Sequence, residues 1–154
     1  MAGTSHRKVA ALADVPLGSM TCHFPGMDEL FEAAFTRFAH EVGERFAARL
    51  AGGLAGAKLV AALVGLIHGD VLDSRRTLVL TVELYALAAR NARFRNITQG
   101  WLEISARALE RHMDAETAQQ VDALIEGLSL HRALGTAPPS RELTADAVRK
   151  ILGA

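Results

Sequence analysis

The side chains able to do chemistry are few and scattered. Six histidines and a single cysteine occur in 154 residues. No H-E-x-x-H helix, phosphate-cradling glycine loop or G-x-S-x-G elbow joins them into a catalytic pattern. His68 and Asp70 stand two apart, which puts them on different sides of a helix. Nothing has the ligand spacing of a known zinc site, so a metal centre would have to be assembled from separated residues such as His68, His112 and His131. The lone Cys22 excludes an internal disulfide framework and fits a reducing compartment.

A second group of residues suits binding better than catalysis. Glu83 sits in the run LVLTVELYALAA. A carboxylate there must pair, with Arg107 or Arg132 as partners, or reach a polar cavity. Thr81 and Tyr85 flank it, His68 and His131 fall on apolar faces, and Trp101 is amphipathic. A mostly apolar cavity with a few polar groups is the usual form of a small-molecule site. The expected effector-binding set is therefore His68, Thr81, Glu83, Tyr85, Trp101 and His131. The competing role for each is core packing or an internal ion pair.

These residues need helices to position them. Half the chain is apolar but only 5% is aromatic, and alanine and leucine are abundant, which favours helix over strand. The pattern predicts short helices over Thr4–Ala13 and Leu17–His23, with Thr4 or Ser5 as a cap, Asp14 in the turn and Pro16 at the first helical position. A long amphipathic helix over Met27–Leu50 carries Phe31, Phe35, Phe38 and Phe46. Further helices are expected over Gly56–Leu72, Arg76–Arg90, Phe94–Met113 and Ala115–Leu134. A last helix is expected to be capped by Thr144 and ended by Gly153. The Phe94–Ile97–Trp101–Ile104 seam and the Leu124–Leu128 face read as apolar stripes that would join two copies of the chain. The fold class expected is all-α.

Composition bounds the rest. Four prolines and 13 glycines are too few for a disordered or collagen-like chain. Leu59–Ile67, the longest apolar stretch, stops at His68, short of the roughly 20 residues that span a bilayer. Met1–His6 has no apolar leader. The expectation is a soluble, cytoplasmic protein with no membrane partner and no cofactor. A net charge of zero supplies no argument for nucleic acid, so such an argument must come from local pattern.

That local pattern is the pair of short helices between Thr4 and His23. Each is too short to be stable alone, and two such helices joined by a tight turn form either a plain helical hairpin or a helix-turn-helix. The run TSHRKVAALADVPLGSMTCHFPGMDEL, Thr4 to Leu30, resembles the helix-turn-helix signature of TetR-type transcriptional repressors. In that family T-x-x-x-I-A-x-x-A-G-V precedes G-[TS]-[LM]-Y-x-H-F. The matching positions are Thr4, Val9, Ala10, Ala13, Val15, Gly18, Ser19, Met20, His23, Phe24 and Leu30, within a run of about a sixth of the chain. The remainder is similar to the family in helical plan.

The resemblance implies roles. Residues 1–50 would be the helix-turn-helix region with its connecting helix, and 51–154 the helical effector-binding and dimerisation domain. Val9, Ala10, Val15 and Met20 would pack the motif. Leu17, Gly18, Ser19, Thr21 and Cys22 would face the groove of double-stranded operator DNA, with Thr4 and His23 at phosphates. The function implied is a ligand-responsive repressor acting as a homodimer, released from its operator by a small apolar or amphipathic effector. Departures from the family pattern point to a second reading. A whole helix usually precedes the position of Thr4, Thr21 and Cys22 stand where aromatic residues are usual, and Met27 replaces a phosphate-contacting lysine. Arg7, Lys8 and Arg37 are outnumbered over residues 1–40 by Asp14, Asp28, Glu29 and Glu32, whereas DNA affinity rests largely on neutralising phosphates. The alternative is thus a relative with impaired DNA binding, kept as a dimeric small-molecule-binding or interaction module.

Overall fold

The computed structural model describes residues 3–153, apart from the side chain of Asp70. Met1, and with it the question of what precedes it, lies outside the described residues. Those residues form eight α-helices, one π-helical turn and no strand. The order is α1 (His6–Ala13), α2 (Leu17–His23), α3 (Met27–Arg49), α4 (Gly56–Gly65), the π turn (Leu66–Asp70), α5 (Arg75–Ala88), α6 (Ala92–Leu109), α7 (Ala115–Leu134) and α8 (Arg141–Leu152). The all-α expectation holds.

Side-chain caps set most of the helix starts. Ser5, Ser74, Asn91 and Asp114 each accept a backbone N–H from the first turn of the helix that follows, satisfying a donor that has no intrahelical partner. Asp14 turns the chain between α1 and α2 in the left-handed region, φ 53°. Pro16 is not the first helical residue expected. It is the cap, with an extended ψ of 137°, and its carbonyl accepts from the Met20 N–H at 3.2 Å. Thr144 is likewise not the cap of the last helix. Ser140 is, accepting from Leu143 N at 3.1 Å, because its backbone is extended where Thr144 is already one turn inside.

The helix expected over Gly56–Leu72 is interrupted. At Leu66 it widens into the π turn, closed by Val71 N–H donating to the Leu66 carbonyl at 3.1 Å. The wider turn brings His68 against α8, where its Nε2 lies 2.9 Å from Thr144 Oγ1. Burial, then the nearby Arg141 and Arg132, hold the His68 imidazole below its usual pKa, so its neutral form is favoured.

Two apolar clusters form the core. One joins Phe46 of α3 and Leu50, just after it, to α4, the π turn, α6, α7 and Val148 of α8. The other joins Phe35, Ala39 and Val42 of α3 to Leu84 and Ala88 of α5 and to Phe94 and Trp101 of α6. The Phe94–Trp101 seam is therefore internal: Phe94 meets Phe35 edge-on and Trp101 meets Phe38 edge-on. Leu124 and Leu128 also pack against the chain's own core. Helix α6 finds its partner in α3, so the first stripe is used mainly within the chain, while Leu124 and Leu128 stay only partly covered. The His112 ring nitrogens lie 2.8 Å from the Leu50 carbonyl and 3.2 Å from that of Leu54, anchoring the end of α3.

Candidate effector cavity and helix-turn-helix face

Five elements meet around a cavity of about 50 Å³. Val42 and Phe46 come from α3, and Leu66, Val71 and Leu72 from the π turn and the residues after it. Thr81 and Tyr85 come from α5, Trp101, Leu102 and Ser105 from α6, and Asp122, Ile125 and Glu126 from α7. The walls are mostly apolar because these positions also serve the core.

The polar groups are few and specifically placed. Tyr85 and Trp101 stack, with ring centroids 6.1 Å apart and 19° between planes. Burial, then the Glu126 carboxylate that accepts its hydrogen bond, drive the Tyr85 phenol well above its usual pKa, so it stays protonated. Asp122 is pushed up to about 6 by burial and then by Glu126. Thr81 is only 4% exposed, and its Oγ1 is buried without a hydrogen-bond partner. An orphaned buried hydroxyl is uncommon and costly.

Three of the six effector residues expected from sequence, Thr81, Tyr85 and Trp101, line this cavity. The other three do not. His68 bonds to Thr144 at the α8 side, Glu83 is half-buried outside the lining, and His131 is exposed. His68, His112 and His131 are held at separate places by separate neighbours, and among the described residues no three His, Cys, Asp or Glu side chains gather as a metal would require. Sequence reading missed Asp122 and Glu126. Their signal was present: two carboxylates four residues apart beside Val121 and Ile125, on an otherwise core-facing helix.

At the other end of α3, α1 and α2 pack on each other. Ala10 and Met20 are their buried residues, Val9 is partly covered, and Val15 stays 42% exposed. Leu12 is 90% exposed. It points away from the α1–α2 contact, which Ala10 and Met20 fill. Thr4, Leu17, Gly18, Ser19, Thr21, Cys22 and His23 are all exposed. Thr21 Oγ1 donates back to the carbonyls of Leu17 and Gly18, each at 3.2 Å. Helix α3 is tied to α6 at this end by Arg93, whose Nη1 lies 3.2 Å from Glu29 and 3.3 Å from Glu32.

The chain has clear relatives. A family model described as "Tetracyclin repressor-like, C-terminal domain" matches residues 54–154. The fold is similar to a protein described as a transcriptional regulator, SCO7518 of Streptomyces coelicolor A3(2), at 45% identity and TM-score 0.92, covering 100% of this chain and 89% of that one. It is also similar to SCO1917 of Streptomyces coelicolor A3, a member of the TetR family, at 32% identity and TM-score 0.76, covering 98% and 87% of the two chains. A third similar structure is the multidrug binding protein EbrR complexed with ethidium, at 34% identity and TM-score 0.77, covering 97% and 87%. EbrR is also known in complex with proflavin and with malachite green. No match exists among curated proteins.

Proposed function

Because this chain belongs to the TetR family of transcriptional regulators, we propose that it is a ligand-responsive repressor, a homodimer that binds operator DNA and lets go when a small aromatic effector enters the cavity. Residues 1–50 carry the DNA-facing motif and its connecting helix. Residues 51–154 carry the effector and dimer surfaces. The groove-facing set is Leu17, Gly18, Ser19, Thr21 and Cys22, with Thr4 and His23 at phosphates.

The observation that carries this reading is the shared wall. Val42 and Phe46 of α3 line the cavity, and the same helix begins at Met27, directly after the α1–α2 motif. Small-molecule sites usually measure roughly 300–1,000 Å³, so an aromatic effector must widen a cavity of about 50 Å³. Widening it displaces α3 relative to α6. Two recognition helices in a dimer must match half-sites one DNA turn apart, so a small tilt of α3 changes operator affinity.

EbrR supplies the effector class to try first, because proflavin, ethidium and malachite green are flat aromatic cations. The direct test is a mobility-shift titration with DNA from upstream of the chain's own coding region, with and without ethidium. Retardation that ethidium reverses supports the repressor. Ethidium binding without retardation supports the second reading, a dimeric binding module with impaired DNA binding. The acidic balance over residues 1–40 favours that second reading. The exposed Leu134 and Leu143, at the end of α7 and the start of α8, are the surfaces to test for dimerisation.

A further inference from the structure

The ionisable wall of the cavity does more than add polarity. Asp122 and Glu126 lie four residues apart on α7, so both carboxylates project from one face. They form the partition between the interior cavity and an outer groove along α6 and α7. Among the described residues lining either space, none is basic. Tyr85 of α5 faces the pair from inside, and Glu103 of α6 and Glu110, just after it, stand on the groove side, Glu103 with Arg107 at 3.9 Å. The positions contributed by α3 and by the π turn with the residues after it are all apolar. Burial, and then the neighbouring Glu126 carboxylate, make ionisation of Asp122 costly, so Asp122 keeps its proton up to about pH 6.

A second observation points to a ligand. The Thr81 hydroxyl, buried and without a partner, lines the same cavity. The Tyr85–Trp101 stack adds aromatic surface beside the carboxylates, and aromatic faces attract organic cations.

We propose that Asp122 and Glu126 form a cation site that in mildly acidic solution holds a proton until a positively charged aromatic ligand enters, and that the ligand's charge then replaces the proton. The carboxyl O–H is the one bond broken. The proton leaves to bulk water as the cation arrives, so the charge inside the cavity is conserved. The stack holds the ring system, the carboxylate pair holds its charge, and Thr81 Oγ1 is left to bond a polar substituent. This exchange rests on the reading of the cavity as the effector site and adds its chemistry: ligand affinity rises with pH.

The test is calorimetric titration of the full chain with ethidium, a permanent cation, and with coumarin, an uncharged aromatic. Each is measured from about pH 5 to about pH 7.5 in two buffers of different ionisation enthalpy. With Asp122 titrating at about 6, ethidium affinity should fall roughly tenfold between the upper and lower pH, because only the deprotonated fraction is competent. Close to one proton should be released per ethidium at the lower pH, and coumarin should show neither effect. Asp122→Asn should flatten the ethidium pH profile, and Glu126→Gln should move it to lower pH without flattening it, because burial of Asp122 remains; the far-UV spectrum and a cooperative melt show that the variants are folded. Ethidium binding that is flat with pH and releases no proton overturns the exchange and leaves the cavity as the effector site. Failure of both probes to bind, by heat and by quenching of Trp101, overturns the cavity reading and the exchange together.

Discussion

Gly43 on α3 faces Ile104 on α6 so closely that a Cβ placed on Gly43 would lie 3.1 Å from both Cδ1 and Cγ2 of Ile104. Helices α3 and α6 thus approach each other where one of them has no side chain. A single methyl there gains about 0.5–1 kcal/mol of helix propensity over glycine, and Ile104 can shift by a few tenths of an ångström to admit it. Gly43→Ala should leave stability within about 1 kcal/mol. Gly43→Val should destabilise by roughly 1–3 kcal/mol, because a branched side chain overpacks the crossing. Urea denaturation of the three proteins measures the contrast; equal stability for Val and Ala would mean that the crossing is loose.

Thr81→Val replaces an unpartnered buried hydroxyl with a methyl of the same shape. Removing an unsatisfied polar group should stabilise the fold by about 1 kcal/mol, raising the urea midpoint. If Thr81 serves a ligand, ethidium binding should weaken in the same variant. A loss of stability would show that the hydroxyl has a partner in solution.

The raised pKa of Asp122 has a definite sign for stability. Its folded value of about 6 lies above the ordinary 3.8, so between the two the folded protein binds more protons than the unfolded chain. This group therefore favours folding below about pH 4, and its contribution is lost as pH rises through about 6. Asp122→Asn removes that loss. The variant should melt at a higher temperature than the parent near neutral pH, and the difference should shrink toward acid. An advantage that grows on acidification would contradict the raised pKa.

Leu134 and Leu143 are 66% and 54% exposed, so neither supports the fold of its own chain. If they join two copies, the double variant Leu134→Glu and Leu143→Glu should sediment as a monomer at micromolar concentration where the parent is a dimer. Its helical content should be unchanged. A dimer that survives both substitutions places the interface elsewhere.

Helices α1 and α2 each have one buried residue, Ala10 and Met20. Their amides should exchange with solvent much faster than those of α6 and α7, which have several. Leu12→Gln should change stability by less than about 0.5 kcal/mol, since it alters a surface side chain. Protection in α1 equal to that in α6 would show that something covers Leu12 in solution.

Local rules were enough for much of this molecule. Heptad-like spacing and caps located the helices to within a few residues, because a helix start needs only a side chain that can reach the next turn's N–H; the exception is the one expected over Gly56–Leu72, which ends at Gly65. Asp14 as a left-handed turn and Gly153 as a helix end were legible for the same reason. The cap of the last helix was read as Thr144, and only the backbone shows that Ser140, of the same cap chemistry, stands at the helix start. Partner choice was not legible at all. The Phe94–Trp101 stripe reads alike whether it meets another copy or α3, and only the fold shows that Phe35 and Phe38 fill it. Periodicity tells which face of a helix is apolar but not what covers it. The cavity shows the same division. Tyr85 and Trp101 were conspicuous by type, whereas Asp122 and Glu126 look like ordinary surface acids until α7 is laid against α5 and α6. The raised pKa of Asp122 comes from lost water and then from the Glu126 charge, and both are properties of the assembled chain.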